Sequence, residues 1–358
     1  MKNYQELLDD CFNGKIIHPP LFMPDLNTWY QWRKKRGTLP EGMQKSSLTE
    51  IADALNCPAW LVQKPWEVEY QGVAVSVTKT NNGKIIFYET PHGTLREKWV
   101  IGPDGDWWQE EYPLKTIDDF DAAAFLVEAK TYVVNTDATS EGHSGEVVAL
   151  QLPMTPYSEM LHTMLGWGNG LLLMMGLGRS RLGKMLEVLE KKRLGLVEKL
   201  ASYSGLYYLV PDNLDGQYIS PATFKSYFET SYQSTVKILH NNNKKIIVHL
   251  GGIGKHLLPL ISSTGIDAIL GISGPPQSNA TLSEARVIVR ENMVLWGGIP
   301  QSLFMNTHDE EELEQSVQET LLQATKDTRV VIGVADHVPV DTDFSRLQRV
   351  AQMISKGR

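Results

Sequence analysis

Two histidines and several carboxylates stand directly after apolar runs of this sequence. His249 closes one such run, and Asp336 and His337 follow a later one. Asp25 follows the first run of the chain, and Asp212 follows one in the middle. Proteins use imidazole and carboxylate groups as general acids, as bases and as metal ligands. The sequence therefore predicts proton transfer or metal binding, provided that the fold brings these residues together.

The elements that would position them are eight short apolar runs with the length of buried strands. These runs cover residues 20–24, 60–63, 147–152, 207–210, 246–250, 267–270, 294–299 and 330–334. From the third run onward, segments of helical periodicity separate them, and one follows the helix-start signal Ser220-Pro221. Alternating strands and helices predict an α/β fold, the (β/α)8 TIM barrel. Because all strands of such a barrel end on one face, the polar residues are expected to meet there.

The interval between the second and third runs has a different pattern. Residues 73–80, 84–90 and 94–101 are β-rich, and Asn81-Asn82-Gly83 is a hairpin turn signal. We predict an N-terminal β-hairpin insertion at about residues 70–112. It is expected to cover one end of the barrel or to contact a second subunit in a homodimer. The whole chain, 1–358, is then a single barrel domain.

Each candidate residue also has a purely structural interpretation. Asp212 lies in a segment of ordinary turn composition, and Asp25 is placed to cap the helix that contains Trp29 and Tyr30. His337 precedes Val-Pro and is able to hydrogen-bond the backbone. Trp29 and Tyr30 are predicted to wall an apolar substrate pocket, although aromatic residues suit the core equally well.

Composition narrows the class of protein. The chain has 42 acidic and 34 basic residues, a net charge of −8, which argues against a nucleic-acid or anionic-membrane surface. Two cysteines in 358 residues make no disulfide framework. The N-terminus has no apolar signal core, and no apolar stretch is long enough to span a bilayer. We therefore expect a cytoplasmic enzyme.

Segments distributed along the chain carry a family resemblance. They are Thr90-Pro91-His92-Gly93-Thr94, Val210-Pro211-Asp212-Asn213 with Ile219-Ser220-Pro221, Val248-His249-Leu250-Gly251-Gly252, Leu295-Trp296-Gly297-Gly298-Ile299-Pro300 and Ile332-Gly333-Val334-Ala335-Asp336-His337-Val338-Pro339. In their order and spacing they resemble the uroporphyrinogen decarboxylase superfamily, and most of all its corrinoid-dependent methyltransferase branch. The resemblance implies a (β/α)8 barrel over almost the whole chain.

The methyltransferase branch moves a methyl group between a small methylated compound and a corrinoid carried by a partner protein. Many members hold zinc with His-x-Cys and a later cysteine. Here Gly251 and Asp336 stand at those cysteine positions, so the thiol ligands are absent. Zinc also accepts imidazole and carboxylate ligands, which leaves His249 and Asp336 with Glu229 or Asp212 as the tentative set.

We predict methyl transfer from a small O- or N-methylated substrate to a corrinoid protein. The expected catalytic residues are His249, His337, Asp336 and Asp212, and the expected substrate-binding residues are Asp25, Trp29 and Tyr30. His337 would supply an acid for the leaving group.

Three other functions remain open at this point, one of which is hydrolysis on the same barrel face, for which no nucleophile–base pair stands out. The first is decarboxylation of a tetrapyrrole or a related acid, for which the cations at 33–36 (Arg-Lys-Lys-Arg) are the available cluster. The family's arginine-rich decarboxylase loop is absent, because Met23-Pro24-Asp25-Leu26 occupies its place. The second is a barrel that binds a ligand or a corrinoid protein without catalysis, which the missing cysteines favour.

Overall fold

The computed structural model describes residues 3–103, 105–135, 142–176 and 179–357. The strands are β1 (Ala59–Gln63), β2 (Trp66–Tyr70), β3 (Ala74–Thr80), β4 (Gly83–Thr90), β5 (Gly93–Ile101), β6 (Trp107–Glu111), β7 (Lys130–Val134), β8 (Glu146–Gln151), β9 (Tyr207–Leu214), β10 (Lys245–Leu250), β11 (Ala268–Ile272), β12 (Val294–Ile299) and β13 (Val330–Val334).

The α-helices are α1 (Tyr4–Phe12), α2 (Asn27–Arg36), α3 (Leu48–Ala54), α4 (Phe120–Ala129), α5 (Pro156–Glu159), α6 (Asn169–Gly176), α7 (Arg179–Ala201), α8 (Pro221–Tyr227), α9 (Glu229–Asn241), α10 (Leu258–Ser263), α11 (Leu282–Ile288), α12 (Glu310–Ala324) and α13 (Phe344–Lys356). Short 3-10 turns span Ile117–Asp119, Lys255–Leu257 and Gln301–Phe304, and a π-helical turn spans Met160–Leu165. Among these described helices, none has both the length and the apolar character needed to cross a membrane.

Seven strands form one curled parallel sheet in the order β1-β8-β9-β10-β11-β12-β13. The prediction of an eighth strand at residues 20–24 is wrong in detail. That segment contributes a single parallel bridge, Phe22 to Ile332, with the Met23 amide donating to the Ile332 carbonyl at 2.8 Å. Pro20 and Pro24 flank the bridge and have no N–H to donate, so they cannot extend a ladder.

A side-chain hydrogen bond joins the start of α2 to the β1 edge of the sheet. Nδ2 of Asn27 donates to the carbonyl oxygen of Trp60 in β1 at 2.8 Å, next to the segment that bridges β13. The described residues therefore form an α/β, TIM-barrel-like fold in which seven strands share one sheet and an irregular segment lies between its two edges.

Helix α1 plugs one end of the curled sheet. Successive strand residues point to opposite faces, and the inward residues Trp60, Ile247 and Trp296 belong to one buried cluster together with Leu8 and Phe12 of α1. Arg329, just before β13, donates to the carbonyl of Phe12, which places α1 at the amino ends of the strands. The opposite end, where the strands finish, is the one left for chemistry.

The interval after β2 holds more than the predicted hairpin. Strands β3 to β6 form a four-stranded antiparallel sheet, and the turn signal Asn81-Asn82 is the two-residue loop between β3 and β4. The turn between β5 and β6 lies on α2. A Cβ atom on Gly105 would approach Cε3 of Trp32 to 2.1 Å, so only a glycine allows this contact. This contact holds the tip of the antiparallel sheet beside the first helix of the barrel.

We expect Trp296→Ala to lower the free energy of unfolding by about 3–5 kcal/mol. The ring is buried at the barrel centre, 4.8 Å from the ring of Trp60, and Nε1 donates to the Met23 carbonyl at 3.1 Å. Urea unfolding measures the loss. The control Val287→Ala, at a side chain that is 87% exposed, should change the free energy by less than about 0.5 kcal/mol. Equal losses in the two variants would contradict this packing.

Candidate functional site

His249 lies at the open end of the barrel, at the end of β10. It follows the inward residue Ile247 by two positions, so its ring points to the same inner face. The ring packs against Gly271, where a Cβ atom would lie 3.1 Å from Nε2 of His249. Burial lowers the pKa of His249, while the charges of Asp336 and Asp25 act to raise it. The imidazole is therefore neutral at pH 7.

Asp336 and His337 form a hydrogen-bonded pair in the loop after β13. Nδ1 of His337 lies 3.2 Å from Oδ1 of Asp336, and this bond raises the pKa of His337. Partial burial opposes ionisation of Asp336, but the bond from His337 and the charge of His249 outweigh it and lower the pKa of Asp336. The pair thus favours an imidazolium beside a carboxylate, close to the neutral ring of His249.

Asp25 joins the same group from the first segment of the barrel. Its Oδ1 accepts from the backbone N–H of Asn27 at 2.9 Å and from Nδ2 of Asn27 at 2.8 Å. Its backbone carbonyl accepts from the N–H of Val338 at 2.9 Å, which ties this segment to the loop after β13. Burial raises the pKa of Asp25, and the bonds from Asn27 and the charge of His337 counteract the rise.

Two glutamines hold the loop that carries Asp336 and His337. Nε2 of Gln277 donates to the Ala335 carbonyl at 3.1 Å, and Nε2 of Gln301 donates to the His337 carbonyl at 2.9 Å. The backbone N–H of Gln301 also donates to Oε1 of Gln277 at 2.6 Å. Asp336 itself adopts a left-handed backbone with φ of 77°. Nothing in the sequence pattern pointed to the glutamines, because their partners lie more than 30 residues away.

The assignment of Asp212 to the site is wrong. Its carboxylate is fully buried, and it accepts from the N–H of Thr155 at 3.0 Å, from Oγ1 of Thr155 at 2.6 Å and from Oη of Tyr232 at 2.7 Å. Tyr232 belongs to α9, on the outer side of the sheet. Tyr208 and Val210 of β9 pack on the helix side of the sheet, and Asp212 follows Val210 by two positions, so regular strand alternation points its carboxylate outward. Asp212 anchors a loop and a helix.

Trp29 and Tyr30 do not wall a pocket at this site. Trp29 is fully buried, Nε1 donates to the Thr342 carbonyl at 2.8 Å, and its ring stacks on Phe344. Tyr30 is buried too, and its hydroxyl donates to the Ser46 carbonyl at 2.9 Å. Both attach α2 to its neighbours, as the structural interpretation allowed.

The donor set does not fit zinc. Within the described ranges, no three His, Cys, Asp or Glu side chains are grouped so as to hold a metal ion. Glu229 begins α9 in the outer helix layer with Asp212's partner Tyr232. At Gly251, where the family places a cysteine, the carboxamide of Asn213 occupies the space of a side chain, because a Cβ there would lie 1.8 Å from Oδ1. Asn213 pairs with His249 in the sheet and is an exposed polar group that sequence reasoning did not select.

We expect Asp336→Asn to lower the pKa of His337 towards its ordinary value, because the neutral amide stabilises the imidazolium less than the carboxylate does. A raised pKa in the folded state stabilises the fold below the unfolded pKa, and this contribution disappears as pH rises through the folded pKa. The variant should lose that stabilisation at acidic pH. NMR titration of the His337 ring measures the pKa. In the control Asp215→Asn, whose carboxylate accepts from Gln217, the pKa of His337 should not change.

We expect Gly251→Cys to cost up to about 1 kcal/mol of stability, because the new side chain must displace the carboxamide of Asn213, which is exposed and able to move. Adding Asn213→Ala to Gly251→Cys removes the clash, and the double variant should recover most of the loss. Urea unfolding of both variants and of Asn213→Ala alone gives the coupling between the two positions. Additive losses would show that Asn213 does not fill this space.

Comparison with known proteins identifies the family of this chain. Residues 178–356, half of the chain, match the family model described as uroporphyrinogen decarboxylase (URO-D). No curated protein matches the sequence.

Comparison with solved structures gives two examples. A methyltransferase from Methanosarcina mazei superposes with a TM-score of 0.60 at 8% identity, over 98% of this chain and 97% of that chain. A chitinase from Chromobacterium violaceum gives a TM-score of 0.32 at 11% identity, over 57% of this chain and 90% of that one. The first match supports the barrel-like fold, and the family model shows that this chain belongs to the uroporphyrinogen decarboxylase family.

Proposed function

We propose that this protein is a methyltransferase that moves a methyl group from a small O- or N-methylated substrate to a corrinoid carried by a partner protein. The observation that carries the proposal is the pair of imidazoles at the open end of the barrel, whose pKa values are shifted in opposite directions. Neighbouring titratable groups with separated pKa values are the usual sign of an acid and its counterpart. The fold shared with a methyltransferase is consistent with this.

For an O-methylated donor, the chemical need is an acid. When a C–O bond to a methyl group breaks, the electron pair stays on oxygen, and an unassisted alkoxide or phenolate is a poor leaving group. The imidazolium of His337, held by Asp336, would give its proton to that oxygen as the methyl carbon passes to the corrinoid cobalt. The neutral ring of His249 would orient the substrate through a hydrogen bond.

Decarboxylation of a tetrapyrrole is disfavoured by what the cations of α2 do. Arg33 donates to the carbonyl of Thr342 at 2.8 Å and lies 5.2 Å from the ring centroid of Trp29. Lys34 donates to the hydroxyl of Tyr30 at 2.9 Å, and Arg36 stacks on Trp32. These groups join α2 to its surroundings and form no anion site.

We expect His337→Gln to lower the rate of cobalamin methylation from an O-methylated donor by about 10²–10⁴-fold, because the general acid is lost. The assay follows Co(I) cobalamin spectroscopically in the presence of candidate methyl donors. The control His240→Gln should keep full activity, since His240 pairs with Asp267 at the opposite end of the strands. Protein that methylates nothing but decarboxylates uroporphyrinogen would reverse the assignment.

The rate should also depend on pH in a defined direction. It should fall as pH rises through the raised pKa of His337, because the proton to be donated is then absent. It should fall again at acidic pH, as His249 becomes charged below its lowered pKa. In the variant Asp336→Asn the alkaline limb should move to lower pH. An alkaline limb at the same pH in both proteins would exclude His337 as the acid.

A further inference from the structure

A cavity of about 270 Å³ lies between the carboxyl ends of β1, β8 and β9 and the inserted antiparallel sheet. Gln151 and Pro211 line it from the barrel, and Tyr88 and Glu97 line it from the insertion. At about 30 Å³ for each water molecule, the cavity has room for about nine waters. It is smaller than the pockets that take drug-sized ligands and suits a compact molecule.

One side of this cavity is suited to a cation. Tyr70 and Tyr88 meet edge to face with ring centroids 5.4 Å apart, and both line the cavity. Glu97 is only 7% exposed and accepts from Oη of Tyr88 at 2.9 Å and from Nε2 of Gln109 at 3.1 Å. Burial raises the pKa of Glu97, and hydrogen bonds from Trp99 and Tyr88 and the charge of Lys84 act in the opposite direction. Aromatic rings around a carboxylate are the surroundings that alkylated ammonium groups prefer.

The other side of the cavity carries a cation that lacks an acidic partner. Lys130 is neutralised by Glu159, with Nζ to Oε1 at 2.6 Å. In the part of the chain that the structure describes, no carboxylate pairs with Lys64, whose Nζ lies 4.2 Å from the ring centroid of Trp66. With Lys130 and Glu159 neutralising each other, Glu97 and Lys64 leave one charge of each sign in the lining. Lys84 acts on Glu97, and Glu67 acts on Lys64, from outside the lining. The lining therefore matches a ligand with both charges.

We propose that this cavity binds a small zwitterion, with its alkylated ammonium against Tyr70, Tyr88 and Glu97 and its carboxylate on Lys64. Recognition of the zwitterion stands on the cavity alone. The further step, that this ligand is the methyl donor, rests on the proposed function. An N-methylated amino acid is the substrate class that satisfies both. When its ammonium nitrogen gives up a methyl group to the corrinoid, the nitrogen keeps the electron pair and leaves as a neutral amine, so this donor needs no proton from His337.

Three probes of similar size test the charges separately by isothermal titration calorimetry. Trimethylglycine carries both charges, 3,3-dimethylbutanoate replaces its nitrogen by carbon, and choline lacks the carboxylate. We expect trimethylglycine to bind at least about tenfold more tightly than either of the others, since each loses one charged contact. Equal binding of 3,3-dimethylbutanoate, or binding of none of the three, would overturn the proposal.

Two variants connect the preference to the residues. Glu97→Gln should weaken the binding of trimethylglycine by about tenfold, because the contact with its ammonium group is lost. The binding of 3,3-dimethylbutanoate, which has no ammonium group, should be unchanged. Lys64→Met should weaken the binding of trimethylglycine and of 3,3-dimethylbutanoate, which both carry a carboxylate. It should leave the binding of choline unchanged. The control Lys45→Met, at an exposed lysine outside the cavity, should bind all three probes as the native protein does. Thermal unfolding checks that Glu97→Gln and Lys64→Met are folded. If both folded variants bind trimethylglycine with native affinity, the zwitterion binds at another site.

The cobalamin assay separates this inference from the proposed function. Binding of trimethylglycine with the expected variant effects, but without methylation of cobalamin from any donor, supports the binding site and contradicts the function. Methylation from another donor by protein that binds none of the probes contradicts the site and supports the function.

Discussion

The carboxyl ends of seven parallel strands all face one side of this molecule, and the other side is filled by a helix. Parallel pairing requires every strand to run in the same direction, so polar groups at strand ends collect at a single opening. The amphipathic helix α1 closes the opposite end by packing Leu8 and Phe12 among the inward side chains. Residues from the first and the last segments of the barrel become neighbours for this reason alone.

At that opening the protein separates two identical side chains by their surroundings. His249 sits against strand backbone and glycine and loses solvation, which favours its neutral form. His337 sits in a loop with its own carboxylate, which favours its charged form. The loop geometry is fixed by Gln277 and Gln301, so the position of His337 depends on side chains that bond the backbone of the loop and not the His337 ring. The inserted sheet reaches the same place through Asp106, whose charge also acts to raise the pKa of His337.

Apolar periodicity located the strands well, because burial on both faces leaves little freedom in sequence. The runs at residues 294–299 and 330–334 coincide with β12 and β13. Inward or outward direction was harder to predict. Alternation from the inward residue Ile247 places the His249 ring inside, and alternation from the outward residue Val210 places Asp212 outside. The prediction for Asp212 failed because its position along the strand was not counted. Trp29 could not be assigned from sequence, since an aromatic helix residue is equally compatible with a pocket wall and with the core.

The replacement of a thiol position by Gly251 and the carboxamide of Asn213 has a consequence for durability. The chain has two cysteines, Cys11 and Cys57, both buried away from the barrel mouth, and burial raises the pKa of both thiols, that of Cys11 to about 12. Thiolates are the forms that attack peroxides and disulfides and are oxidised by them. With neither thiol at the barrel mouth, oxidation there should be confined to thioethers such as those of Met154 and Met164, which line the cavity at the ends of β8 and β9.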